Sequence, residues 1–283
     1  MKTGLVMEGG AMRGMFTAGI LDVFMEERIK FDGAVGVSAG AVFGINYKSN
    51  QRGRAIRYNI RYANDWRYCS IRSLVLTGDM YGAKFCYHTM PKELDIFDFD
   101  TFEKNPMEFF VVATDCNTGK PLYHKCTTGK DYDLEWMRAS ASLPLVSKPV
   151  QIGKYTMLDG GLVDPIPVKF MEKRGYDRNV IILTQPEDYV KEDPKNLKFM
   201  KIALKKYPKV YEGFVKRAAL YNDTTAYIKE KEQKGELLVL RPEEKLPINR
   251  TENDPELLRE VYKTGRYVAH KRLEEIKDYL KVD

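Results

Sequence analysis

Ser38 lies in GAVGVSAGAVFG, residues 33 to 44, between Gly36 and Gly40. A hydroxyl among such small residues has two readings. It caps a helix after a sharp strand-to-helix turn, or it is the nucleophile of a G-x-S-x-G elbow, whose small neighbours let the backbone fold tightly and present the hydroxyl to a substrate. A hydroxyl nucleophile needs a base. The histidines are His88, His124 and His270, and none is framed as one. His270 comes late, in Ser…Asp…His order, but inside the charged helical stretch YVAHKRLEEIKDYL. His124 falls in a weak strand, and His88 has nothing acidic immediately beside it. A carboxylate serves as base where it reaches the hydroxyl directly. Asp159, in LDGGLVDPIP, follows a strand-like run and precedes Gly160 and Gly161, which leave it room to approach a neighbour. The same residues are also an ordinary Asp-Gly turn.

A third stretch is EGGAMRG, residues 8 to 14. Amides of such a loop converge on an anion when a helix follows, aided by the positive end of that helix. A dinucleotide site needs G-x-G-x-x-G and an acidic residue after the second strand. Here Ala11 breaks the pattern and the second strand runs into GVSAG. An oxyanion hole needs the same donors, aimed at a transition-state oxygen. A tight turn with no ligand is the plain alternative.

Regular elements must hold these residues. GLVM (4 to 7) reads as a strand, MFTAGILDVFMEER as a helix, FDGAVGV as a second strand and AGAVFGINY as a second helix. The alternation predicts a mostly parallel sheet with helices on its faces. FFVVATD and PLYHKC read as a hairpin through NTGK, LEWMRASAS as a helix, and YTMLDGG as a strand ending at the glycine pair. PVKFMEKRG, RNVIILTQ and ELLVLRP read as a short helix and two more strands, with long charged helices over roughly 195 to 233 and 254 to 280.

The 283 residues, 43% hydrophobic and 12% aromatic, are enough for a real core and argue against global disorder. No apolar run approaches a membrane span, and MKTGLVMEGG shows no signal-peptide pattern. Cys69, Cys86, Cys116 and Cys126 form no C-x-x-C pair, so zinc and redox motifs have little support and reduced thiols in the cytoplasm are expected. Residues 191 to 217 hold nine Lys or Arg against three acidic residues, a surplus as large as the net +6 of the chain. Met200, Ala203, Leu204, Tyr207, Val210, Tyr211 and Phe214 recur there at helical spacing among lysines. Two readings stay open: peripheral contact with anionic lipid, or a helix packed on the sheet with a solvated lysine face. No nucleic-acid-binding signature accompanies the charge.

The three stretches, in this order, resemble the patatin-like phospholipase family. The motifs that carry the resemblance are Gly9-Gly10-Ala11-Met12-Arg13-Gly14, Gly36-Val37-Ser38-Ala39-Gly40 and Asp159-Gly160-Gly161. RASASLPLVSKPVQIGKYTMLDGGLVDPIPV and VVATDCNTGKPLYH extend it, and RPEEKLPINRTENDPELLREVYKTG is similar to the extension of a bacterial subgroup. The resemblance implies a three-layer α/β/α fold with a mostly parallel sheet. A catalytic core would span 1–185, and a mainly helical extension, 186–283, would pack on it as one unit. It implies hydrolysis of lipid carboxylic esters by a Ser38-Asp159 dyad, with the amides of Gly9, Gly10 and Ala11 as oxyanion hole. Arg13 and Gly14 would support the loop, Arg13 either pinning it to a carboxylate or anchoring a lipid phosphate. No metal or organic cofactor is implied. The expected partner is a phospholipid or other lipid ester, met in the cytoplasm or at the inner membrane surface. Ala11 departs from the family's third glycine and is strained if its φ is positive. The small and proline-rich segment 139 to 149 is a candidate border for an acyl pocket. A small-ester esterase or thioesterase, and a non-catalytic lipid-binding protein, remain as rival readings on the same residues.

Overall fold

The computed structural model describes residues 1–281. Its strands are β1 (Lys2–Met7), β2 (Gly33–Val37), β3 (Glu108–Asp115), β4 (Pro121–Cys126), β5 (Val150–Ile152), β6 (Tyr155–Asp159), β7 (Tyr176–Ile182) and β8 (Leu237–Leu240). They form one sheet in the order β5-β6-β3-β2-β1-β7-β8, with β4 also paired to β3. The pairs among β3, β2, β1, β7 and β8 are parallel. Those of β3 with β4 and β6, and of β5 with β6, are antiparallel. Parallel strands covered on both faces need nearly continuous apolar sequence. Accordingly Leu5, Val6 and Met7 are all fully buried.

The helices are α1 (Gly14–Glu26), α2 (Ala39–Lys48), α3 (Arg54–Arg61), α4 (Ile71–Thr77), α5 (Phe99–Lys104), α6 (Asp131–Ser140), α7 (Val168–Lys173), α8 (Leu197–Ala203), α9 (Pro208–Gln233), α10 (Pro255–Lys271) and α11 (Leu273–Leu280). A π-helix spans Phe85–Leu94. Side chains alternate across a strand, and β1 shows it. Leu5 and Met7 enter an apolar layer with Phe16 of α1 and Val261 of α10. Val6 enters the opposite layer with Met171 of α7 and Tyr221 of α9. The architecture is therefore the expected three-layer α/β/α, with a helical C-terminal region.

Two details differ from the sequence reading, and a third bears on a reading left open. Both long charged helices are broken. Pro208 opens α9 at its first turn, where the missing N–H costs nothing and where continuation of α8 would clash. The second break falls at Arg272, between α10 and α11. Patterning assigned nothing to residues 48 to 107, which hold α3, α4, the π-helix and α5, all short or irregular. Finally, much of the stripe considered for lipid contact points inward. Met200, Leu204 and Val210 are buried with Cys116, Leu158 and Leu162, and Tyr207, Tyr211 and Phe214 pack against them.

The C-terminal region is fastened to the first helix. The Arg266 guanidinium donates to both carboxylate oxygens of Glu26 at 2.9 and 2.8 Å, and the Tyr262 hydroxyl donates to Asp22 at 2.6 Å. Two glycines let the backbones of α1 and α10 touch. A Cβ at Gly265 would lie 2.0 Å from the Phe16 carbonyl oxygen, and one at Gly19 would lie 2.1 Å from that of Tyr262. Gly265→Ala is expected to force the helices apart and cost about 3 kcal/mol of stability in chemical denaturation. A loss below a few tenths would mean that the crossing tolerates separation.

Candidate active site

Strand β3 sets the positions of Ser38 and Asp159. Val112 pairs with Val37, the residue before Ser38, and the next residue, Ala113, pairs with Asp159. The chain turns sharply after Val37. Ser38 has φ 54° and ψ −122°, and its side chain makes no capping bond to α2. A non-glycine residue at positive φ is strained. Here the strain accompanies a hydroxyl that the helix does not use. The Ser38 N–H donates to the buried Ser140 Oγ at 2.9 Å, and the Asp159 N–H donates to the Ser142 carbonyl at 2.8 Å. The last residue of α6 and the segment after it thus brace both residues.

The glycines of the three motifs are sites of close approach. A Cβ on Gly40 would sit 2.4 Å from the Met7 carbonyl oxygen, and one on Gly9 would sit 2.9 Å from Ser38 Cβ. Gly36, Gly14 and Gly160 are similarly crowded, by Ala41, Phe43 and the Val112 carbonyl, and Gly161 faces Asp159 Oδ1. Thus the loop at 9–11 lies against the serine. The amides of Gly9, Gly10 and Ala11 have no acceptor among the described residues. Ala11 has φ 50°, the strained case for a residue with a side chain. The loop is tied down by Glu8, whose Oε2 accepts the Thr184 N–H at 2.6 Å and the Thr184 hydroxyl at 3.1 Å.

Arg13 makes no ion pair among the described residues, and its buried Nε has no partner. The expectation that it pins the loop to a carboxylate therefore has no counterpart in the structure. Glu8, the nearby acid, already serves Thr184. Arg13 instead lines a polar cleft of about 500 Å³ together with Ser38, Asp159, Lys191, Arg217 and Arg250. Sequence reading missed Ser140, Thr184 and Arg250, which carry no motif. It passed over Lys191 and Arg217 as members of a charge run.

Asp159 is 2% exposed. Its Oδ1 accepts the Gly161 N–H at 2.7 Å, and among the described residues its buried Oδ2 has no hydrogen-bond partner. Burial pushes the carboxyl from 3.8 up to about 6, against the pull of the neighbouring Ser38 hydroxyl, the Gly161 amide, and Arg217 and Arg250. No histidine lines either cleft described here. His88 pairs with Glu135 at 3.0 Å, His124 with Asp133 at 2.7 Å, and His270 is exposed on α10. Asp133 also accepts the amides of Thr127, Thr128 and Gly129, so it serves as a loop clamp.

A second cleft, about 820 Å³ and mostly apolar, opens from the same serine. Ala11, Ser38 and Leu143 border both clefts. Its walls include Phe43 and Ile45 of α2, Met90 of the π-helix, and Ala141 and Leu143 of the segment considered for an acyl pocket.

Residues 5–171 match the patatin-like phospholipase family. The chain belongs to that family. Residues 207–281 match a domain of unknown function, DUF6363. The patatin-like chain is 30% identical over 198 residues to the uncharacterized protein YjjU of Escherichia coli K12, covering 65% of this chain and 52% of YjjU. It is 29% identical over 177 residues to the lysophospholipase NTE1 of Meyerozyma guilliermondii, covering 61% of this chain and 12% of that protein. It therefore spans about half of the first relative and a small part of the second. A solved structure of VipD from Legionella pneumophila aligns over 97% of this chain and 67% of its own, with 13% identity and a TM-score of 0.47.

The raised carboxyl bears on stability. The native state holds the Asp159 proton more tightly than the unfolded chain does. Nothing is lost below about pH 4. As pH rises through the window between 3.8 and about 6, ionising the buried group costs up to about 3 kcal/mol. Asp159→Asn keeps an acceptor for Gly161 and removes that cost. Its melting temperature is expected to match the parent near pH 4 and to exceed it above pH 6. A difference that does not grow with pH would contradict the raised carboxyl.

Proposed function

We propose that the protein is a serine lipid acyl hydrolase that cleaves carboxylic esters through Ser38 and Asp159. The observation that carries this reading is the junction at Ser38. A buried carboxyl with one oxygen unpaired and three loop amides without an acceptor among the described residues meet there, between an apolar cleft and a polar one. The apolar lining of this cleft supports an acyl chain as the group seated there. The lysophospholipase relatives are consistent with such a substrate.

In the first half-reaction the Ser38 oxygen attacks the ester carbonyl carbon and its proton passes to the Asp159 carboxylate. The amides of Gly9, Gly10 and Ala11 hold the oxyanion; a donor of this kind is worth roughly 2.7 to 4 kcal/mol in comparable sites. The intermediate collapses, and the leaving alkoxide takes the proton from Asp159. In the second half-reaction a water proton goes to Asp159 as the hydroxide oxygen bonds to the acyl carbon. Ser38 leaves with that proton. The products are a fatty acid and an alcohol or lysolipid.

Ser38→Ala and Asp159→Asn are each expected to lower kcat/KM on a long-chain p-nitrophenyl ester by about 1,000-fold or more. The base must be ionised, so parent kcat/KM should rise with pH through about 6. An Asp159→Asn enzyme that keeps most of its activity would defeat the dyad.

We also propose peripheral contact with lipid through 190–202. Val190, Phe199 and Ile202 are 69%, 60% and 75% exposed, among Lys195, Lys198 and Lys201. Exposed apolar groups beside lysines favour an anionic surface. In flotation assays the parent should rise with vesicles containing anionic lipid, and Phe199→Ser with Ile202→Ser should reduce the bound fraction several-fold. Equal flotation with neutral vesicles would remove the electrostatic part.

A further inference from the structure

Of the four cations lining the polar cleft, three come from outside the catalytic motifs. Lys191 lies in the loop beyond β7, Arg217 on α9, and Arg250 in the loop before α10; Arg13, at the start of α1, completes the set. None of the four has an ion-pair partner among the described residues. The Nε atoms of Arg13 and Arg217 are buried and unpartnered. The cleft offers two acids: Glu8, occupied by Thr184, and Asp159. Four cations facing two acids are an excess of like charge, which is costly. Lys191 shows the cost, held at about 8 by burial first and by Arg217, Arg250 and Arg13 against the pull of Glu8. Such a cluster is stabilised by an anion that fills it.

The position limits which anion. The cleft shares Ser38 with the apolar cleft, so an ester seated on the serine with its acyl chain in the apolar cleft directs its alcohol portion toward the cations. We propose that Lys191, Arg217 and Arg250, with Arg13, hold the phosphate of an acylated glycerol phosphate, and that a phosphomonoester is preferred over a phosphocholine diester. This rests on the hydrolase reading above. A phosphomonoester carries roughly −1.5 to −2 at neutral pH, which suits several cations better than one diester charge does. A choline headgroup needs an aromatic face or a free carboxylate. Tyr221 is the aromatic residue of the cleft, and the Lys191 ammonium already sits 4.2 Å from its ring centroid.

The test compares four esters of one acyl chain in mixed micelles: the glycerol phosphate, the glycerophosphocholine, the glycerol and the p-nitrophenyl ester. The parent is expected to favour the glycerol phosphate over the glycerophosphocholine by at least tenfold in kcat/KM. Lys191→Gln and Arg250→Gln should each lower the ratio of kcat/KM for glycerol phosphate to that for p-nitrophenyl ester by about tenfold, chiefly through KM. Arg250→Lys should restore most of it. The p-nitrophenyl ester reports the effect of the lost charge on Asp159 when no phosphate is bound. Equal rates on all headgroups, or equal losses on both esters, would overturn the assignment. Calorimetry on Ser38→Ala keeps the site separate from the chemistry. Tighter binding of glycerol 3-phosphate than of inorganic phosphate, weakened in Arg250→Gln, supports a headgroup site even if no ester is cleaved. Equal binding of the two would leave only a phosphate site and overturn the headgroup, and binding of neither would overturn both.

Discussion

A carboxyl group with one oxygen left unpaired in the interior is the constraint around which this structure is organised. The Asp159 carboxyl accepts the Gly161 amide through Oδ1, and among the described residues its second oxygen is buried without a hydrogen-bond partner. Burial disfavours the charged form, so the group is poised to exchange a proton near neutrality. A free-standing buried charge would be intolerable. The neighbouring hydroxyl, the one amide and the two nearby guanidinium groups reduce the penalty without abolishing it.

Placing such a group beside a serine requires the backbone to do unfavourable things. Ser38 and Ala11 both adopt positive φ, and each costs on the order of 1 kcal/mol or more. The surrounding sheet imposes these conformations. β3 fixes Ser38 and Asp159 through consecutive pairs, and Ser140 and Ser142 hold their amides from the other side. Side chains are stripped from Gly9, Gly36 and Gly40 because the segments that carry the two strained residues lie in direct contact. The rigid core is what permits the local strain.

This division explains which features could be read from the chain. Strands buried on both faces announce themselves as apolar runs, so GLVM, GAVGV and FFVVATD could be placed in advance. The close approaches announce themselves as glycine clusters around Ser38 and Asp159. The layered fold and the close approach of the segments around Ser38 and Asp159 were therefore legible. Residues whose contribution is a single contact from a distant segment leave no local pattern. Ser140 looks like any serine in RASAS, and Arg250 like any surface arginine. The walls of the apolar cleft were hidden for another reason. α3 is short and its regular inner face buries Arg54 and Asn59 beside Ala55 and Tyr58, so polar residues mask it, and the π-helix carries Pro91 within it and departs from the ordinary helical period. The basic stretch left two readings open because lysine frequency does not say which way the apolar residues between the lysines face.

Arg217 and Arg250 connect the C-terminal region to the Asp159 carboxyl through electrostatics. Arg217 and Arg250 draw the Asp159 carboxyl downward, opposing its burial. A phosphate seated among them would neutralise that pull, and the carboxyl would rise. A carboxylate with a higher pKa is a stronger base toward the serine proton. Binding of the headgroup and activation of the base then become one event. A substrate without phosphate leaves the cations uncompensated and the carboxylate less basic. The apolar cleft alone cannot distinguish such substrates, because it meets only the acyl chain. Discrimination falls to the polar cleft, where two loops and α9 place three positive charges beside a core that ends in Ser38.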